Sequence, residues 1–233
     1  GSLQSQGSIP VVSISQEDGQ RLKELLKQGK VEVTVKVETQ EDASQNVVAT
    51  KQGGEKIIIV GGHYDTIELG PGANDNASGT SAMLTVAQEL SRRSLKHTIR
   101  FIAFGSEEIG LVGSRNYVQS LSQEEQKRII AMINLDGLAA GRNLGVGGEP
   151  ALASQAMDLA YMLNLRAVQS REPANTASDH FSFLRASIPS IFIFGSDFSR
   201  FHTPEDTIDF VDKELLGHAA QLTLALIEAL DTQ

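Results

Sequence analysis

Residues 57–66 read Ile-Ile-Ile-Val-Gly-Gly-His-Tyr-Asp-Thr, or IIIVGGHYDT. The opening run, Ile57 to Val60, has no polar position, so it reads as a strand buried on both faces, as in a parallel sheet covered by helices. Two glycines end it, and His63 and Asp65 follow at once. The pattern repeats along the chain. IRFIAF (Ile99 to Phe104) leads into Glu107-Glu108, IIAMINL (Ile129 to Leu135) into Asp136, and SIFIF (Ser190 to Phe194) into DFSRFHTPEDT, which contains His202. Helical stretches separate these strands. One is expected from about Ser78 to Arg93, with Ala82, Val86, Ala87 and Leu90 on one face. Others are expected at Val112 to Leu121, over PALASQAMDLAYMLNL with Pro150 near its first turn, over DHFSFLRA, and from about Asp212 to Leu230. NLGVGG reads as a short extra strand. This alternation predicts an α/β fold, a three-layer sandwich with a central mixed, mostly parallel sheet and helices on both faces.

Composition narrows the function. The 233 residues suffice for one sizeable α/β domain or a domain with an appendage. A net charge of −9 argues against nucleic-acid binding through a basic face. No apolar stretch approaches the roughly 20 residues of a membrane helix. The chain has no cysteine, which excludes a thiol nucleophile, a disulfide framework and a cysteine zinc knuckle.

Every candidate for chemistry lies just past the carboxyl end of a buried strand, the edge where open α/β sheets place their sites. The inventory is His63, His202, Asp75, Asp136 and one or both of Glu107 and Glu108. Imidazole with carboxylates suits zinc, cobalt or manganese. A single tetrahedral catalytic zinc needs about three protein ligands. Five ligands, one of them a bridging carboxylate, suit two metals about 3.5–4 Å apart. Asp75 is the candidate for the bridge, in the glycine-rich GANDNASG ahead of a helix. Asp65, two residues after His63, is placed to accept a hydrogen bond from the imidazole nitrogen that faces away from the metal. Adjacent glutamates cannot point the same way, so one reads as a ligand and the other as the general base. His97 and His218 have no carboxylate motif around them, and His180 is an intermediate case beside Asp179. Glu68, Glu205, Asp206 and Asp209 read as solvated or capping residues.

Five segments in order, GGHYDT, GPGANDNASG, GSEEIGLVGS, NLDG and FHTPEDT, resemble the co-catalytic di-zinc aminopeptidase family. It includes the secreted bacterial leucine aminopeptidases and has glutamate carboxypeptidase, plasma carboxypeptidase and glutaminyl cyclase as relatives. The resemblance implies a zinc exopeptidase fold and a zinc-dependent aminopeptidase working through a hydroxide held between two Zn2+, with Co2+ or Mn2+ as substitutes. It implies that His63 and Asp136 bind one zinc, that Glu108 and His202 bind the other, that Asp75 bridges them, and that Glu107 is the general base. SDHFSFLRASIP is similar to a family segment beside the active site, which puts Asp179 next to the ligands. Some members carry a tyrosine immediately before the last zinc-binding histidine, where its hydroxyl stabilises the tetrahedral intermediate; here that residue is Phe201. The implied substrates are peptides with a free N-terminus, and the implied state is a secreted monomer. Related carboxypeptidase, dipeptidase or glutaminyl cyclase activity is the alternative, with a catalytically silent binding module behind it.

The N-terminal region reads differently. IPVVSIS suggests a short strand, Ser15 with Asp18 a helix cap, GQRLKELLKQG a helix ending at Gly29, and the alternation from Val31 to Val37 an edge strand. NVVAT (Asn46 to Thr50) is expected to pair with that strand. Residues 1–35 resemble the closing part of a protease-associated domain, with 36–233 as the catalytic domain. Gly1-Ser2 reads as an expression scar, so the expectation is a truncated or engineered chain without most of that insert and without its leader.

Overall fold

The computed structural model describes residues 12–36, 42–170 and 177–232. The chain divides into two compact units, Gly1–Ala43 and Ser44–Gln233. In the first, helix α1 (Gln16–Gln28) starts at Ser15, whose hydroxyl accepts the Asp18 N–H at 3.0 Å, and gives way to Gly29. Glu17 and Asp18 in its first turn and Lys27 in its last complement the helix dipole. The expected strand over Val31 to Val37 is not formed across residues 31–36, where Val33 and Val35 are exposed. Alternation signals a strand only when a neighbouring strand accepts its backbone bonds. Val37 lies outside the described residues, as does the start of the other expected strand, whose remainder from Val12 is irregular.

The second unit is a seven-stranded mixed sheet. Its strands are β1 (Val47–Lys51), β2 (Ile57–His63), β3 (Thr98–Phe104), β4 (Ile129–Leu135), β5 (Leu144–Gly148), β6 (Ala167–Gln169) and β7 (Ser190–Gly195), in the order β1-β3-β2-β4-β7-β5-β6. The central four, β3, β2, β4 and β7, are parallel. The sequence NVVAT does form most of a strand, β1, which pairs antiparallel with β3. At the other side, β5 runs antiparallel to β7 and parallel to β6.

The apolar run that opens β2 explains the layering. Ile58 and Val60 point to one face and pack into a core with α2 (Ala77–Ser91), α5 (Pro150–Met162) and α7 (Lys213–Asp231). Ile57 and Ile59 point to the other face, toward Val118 and Tyr117 of α3 (Val112–Ser120) and Phe183 of α6 (His180–Arg185). Each of these isoleucines is fully buried, and truncating one to alanine costs about 2–5 kcal/mol. Helix α4 (Gln123–Arg128) precedes β4 and is held by a capping box between Ser122 and Glu125. The expected three-layer arrangement is present, and the carboxyl ends of the four parallel strands lie at one edge.

Candidate active site

His63 is the last residue of β2, and Asp136 follows β4 directly. Glu107 and Glu108 lie beyond β3, Asp75 just ahead of α2, and His202 in the loop after β7. Parallel pairing of β3, β2, β4 and β7 is what brings these ends together. His63 Nε2 lies 3.2 Å from Asp75 Oδ1 and 3.2 Å from Asp136 Oδ1. His202 Nε2 lies 3.2 Å from Asp75 Oδ2 and 2.9 Å from Glu108 Oε2. Two donor groups result, an inner one of His63, Asp75 and Asp136, and an outer one of Asp75, Glu108 and His202. In each, three donor atoms lie within 4.8 Å of one another, close enough to hold a cation. Asp75 belongs to both and turns one oxygen to each.

The donor chemistry fits metal. The inner group is wholly buried, and Asp136 Oδ1 and Glu108 Oε1 are buried oxygens with no hydrogen-bond partner among the described residues. Among the described residues no Lys or Arg pairs with Asp75, Glu107, Glu108 or Asp136. Buried carboxylates without donors or cations are costly, and a divalent ion removes that cost. His63 Nδ1 donates to the backbone carbonyl of Asp65 at 3.0 Å, which leaves the Nε2 lone pair facing the group.

The loops are tied to one another through side chains around Asp75. The Asn76 amide donates to Leu135 O at 2.9 Å, while its oxygen accepts Gly79 N–H at 2.8 Å and Gly137 N–H at 3.3 Å. Asn74 Oδ1 accepts Ala139 N–H at 2.7 Å, and Ser78 Oγ accepts Leu138 N–H at 2.9 Å. Residues on both sides of Asp75 therefore fix the backbone on both sides of Asp136. Ser178 donates to Asp136 Oδ2 at 2.7 Å and accepts from the Asn134 amide at 2.7 Å. Gly79 must be glycine here, because a Cβ would overlap Leu135 O and Asn76.

Charge shapes the protonation states. Burial disfavours charge on His63, but Asp136, then Asp65 and Asp75, outweigh it and raise its pKa well above the ordinary imidazole value. His202 is pushed up to about 10 by hydrogen bonds to Asp75 and Glu108. Burial works against ionisation of Asp75, yet the two imidazoles hold it down to about 2. Glu107 belongs to neither group. Burial raises its pKa to about 9, helped by Asp136, Asp179 and Glu108 and opposed by His63. Asp179 is fully buried, and burial raises it to about 7.

Two expectations change. Asp65 was expected to meet the His63 imidazole with its carboxylate, but Oδ1 stands 3.7 Å away. Its two oxygens instead accept the N–H groups of Glu107 at 3.1 Å and Glu108 at 3.2 Å, so Asp65 ties β2 to the glutamate pair. Asp206, expected to be solvated or a cap, is 4% exposed and accepts the backbone N–H groups of Asn74 at 2.8 Å and Asp75 at 2.9 Å. Neither contact has a sequence period, so only their position inside recurring motifs hinted at them. Phe201 packs its ring on Gly137, at φ 61°, and against Phe198. His97 and His218 lie elsewhere: the His97 N–H is held by Asp231, and His218 accepts from Arg166 N–H. His180 stacks on Phe192.

Fold and donor set together define an α/β domain with paired His–carboxylate groups at the carboxyl edge of its sheet. The profile of peptidase family M28 matches residues 46–227, and the chain belongs to that family. It is 37% identical over 242 aligned residues to the aminopeptidase YwaD of Bacillus subtilis (strain 168), covering 94% of this chain and 51% of that protein. Among solved structures, an aminopeptidase from Aneurinibacillus sp. strain AM-1 superposes with a TM-score of 0.75 at 32% identity, over 94% of this chain and 56% of that one. BSAP, a zinc aminopeptidase from Bacillus subtilis, gives 0.73 at 32% identity, over 79% and 49%. The chain thus spans about half the length of these relatives.

Proposed function

We propose that this chain is the catalytic part of an aminopeptidase that removes N-terminal residues from peptides with two zinc ions. His63 and Asp136 hold one, Glu108 and His202 the other, and Asp75 is shared. One observation carries the reading: the Asp75 carboxylate presents one oxygen to each of two three-donor groups. Nitrogen and oxygen donors without thiolate suit a catalytic zinc centre, and a similar structure is of a zinc aminopeptidase. Zinc, when bound, supplies Lewis acidity toward a carbonyl oxygen and ionises water near neutral pH.

The other steps fall to the chain's own residues. Glu107, buried and outside both groups, takes the proton of the attacking water and delivers it to the leaving amine nitrogen. Burial alone would keep Glu107 protonated; cations held by the two groups beside it would lower its pKa toward the ionised form from which a base must start. Asp65 fixes the backbone of both glutamates. Phe201 has no hydroxyl, so stabilisation of the developing oxyanion falls to donors other than residue 201. The substrate's free α-amine is drawn to the same carboxylate-rich edge. On resemblance alone the reading includes a secreted monomer and residues 1–35 as the close of a protease-associated domain. Light scattering tests the first state, and mass spectrometry of the native mature chain tests the second.

The deciding experiment strips the metal and follows leucyl-anilide hydrolysis while zinc is added back. Activity rising to a plateau at about two equivalents supports the reading. A plateau at about one equivalent removes the paired mechanism. Equal action on N-blocked and free peptides removes the aminopeptidase assignment, and cyclisation of N-terminal glutamine replaces it with a glutaminyl cyclase.

A further inference from the structure

Asp206 is a buried carboxylate that pairs with no cationic side chain among the described residues. It is separated by 131 residues from Asp75, yet it grips that loop at three points. Its oxygens accept the N–H groups of Asn74 and Asp75, and its backbone carbonyl accepts that of Ala73 at 3.2 Å. Asp206 also sits on the turn that carries His202. Its N–H donates to Thr203 O at 3.2 Å, and Thr203 is bonded to Arg200 O through both its N–H and its hydroxyl. His202 between them has φ 59°, a left-handed conformation that a non-glycine residue keeps only when its surroundings enforce it.

Asp75 and His202 thus share a mechanical frame as well as a donor group. From this we infer that Asp206 is a positioning residue that sets the separation of Asp75 and His202, and thereby the affinity of the outer group for its cation. Asp206 touches neither substrate nor donor atoms and acts through the backbone of Asp75. The inference rests on the paired-metal reading above. Consecutive amides both pointing at one side chain demand an acceptor with two oxygens. An asparagine at 206 satisfies one of them and turns its own N–H toward the other. Contacts that orient ligands are typically worth about 10–100-fold in metal affinity.

The test is Asp206→Asn, with Glu205→Gln, an exposed neighbour, as control. Cobalt(II) is titrated into metal-stripped protein and followed by visible absorption and calorimetry. The expected result is one step weakened about 10–100-fold and the other, which also uses Asp75 but is held by the sheet, weakened much less, while the control keeps both. Two unchanged steps overturn the inference, as do two steps weakened equally, which would signal general loosening. Amide hydrogen exchange of the wild-type protein is the second arm and survives a variant that fails to fold. The Asn74 and Asp75 amides are expected to be protected without metal, and exchange at the rate of free amides overturns the inference. A single wild-type step in the titration defeats the paired-metal reading instead, and amide exchange then still decides whether Asp206 holds the loop.

Discussion

The inner and outer donor groups share Asp75 but are held by different means. His63 and Asp136 stand at the ends of adjacent parallel strands, buried, with their backbone fixed by the sheet and by Asn74, Asn76 and Ser178. His202 is exposed, lies on a loop in a left-handed conformation, and is tied back through the turn that ends in Asp206. A sheet edge delivers rigid ligands without special side chains. A loop needs a buried carboxylate and several turn bonds to reach the same precision. Tighter, slower-exchanging metal is expected in the inner group and more readily exchanged metal in the outer.

The strongest challenge to this contrast comes from Glu107, which lies in neither group. Glu107→Gln is expected to lower kcat about 10²–10⁴-fold with both metal affinities within a few-fold of wild type. Calorimetry showing a lost metal step would make Glu107 a ligand and merge the groups. The histidines offer a sharper contrast. His63→Ala and His202→Ala should each lose one cation and most activity, but added imidazole should restore part of the activity only in His202→Ala. Solvent reaches that position directly, whereas His63 is 1% exposed. Equal rescue of both would show that burial does not separate the groups.

Acid should act on both groups, because both imidazoles hold their protons above the ordinary value. A cation takes only neutral imidazole, so the proton on His202, held with a pKa of about 10, must leave first. Lower pH therefore favours the proton, and outer-group affinity is expected to fall about tenfold for each unit of acidification below that value. Calorimetry at about pH 6 and about pH 8 reads this slope; a flat profile would mean that Asp75 and Glu108 do not hold the imidazole. The smallest effect is expected at the start of α7, which carries no donor of either group. Asp212 caps α7 by accepting the N–H groups of Glu214 and Leu215, and Asp212→Ala should cost about 1 kcal/mol of stability in a denaturant melt. Any change in metal binding in that variant would show that the site senses global stability.

Most of the fold was legible because the central strands are apolar on both faces and punctuated by glycine. Ile57–Val60 and Ile129–Leu135 could be little else. His63, Asp136 and the glutamate pair were legible as candidates for the same reason, since they end or closely follow such strands, whereas Asp75 and His202 lie farther along loops and were legible only from their motifs. Long-range pairing was not. Val31 to Val37 alternates as an edge strand does, but no local signal says whether a partner exists, and Val47–Lys51 found β3 instead. β6 (Ala167–Gln169) is too short to carry a period, whereas α4 carried a readable signal in its Ser122–Glu125 capping box. Asp206 was misread because a carboxylate that grips backbone amides looks, in sequence, like one that faces water, and the hold of Asp65 on the glutamate amides has no local signal.

The span of the Asp206–Asp75 contact also orders events in time. The two residues are 131 positions apart, and the outer group needs both of their loops in place. During synthesis the chain can complete β2, β3 and β4, and with them the inner donors, long before residue 202 has been added. The outer group forms only after nearly the whole domain exists, as expected for contacts of high sequence separation. A chain stalled or cut before residue 202 therefore lacks the outer donor group, while one that has passed Asp136 already carries all three inner donors.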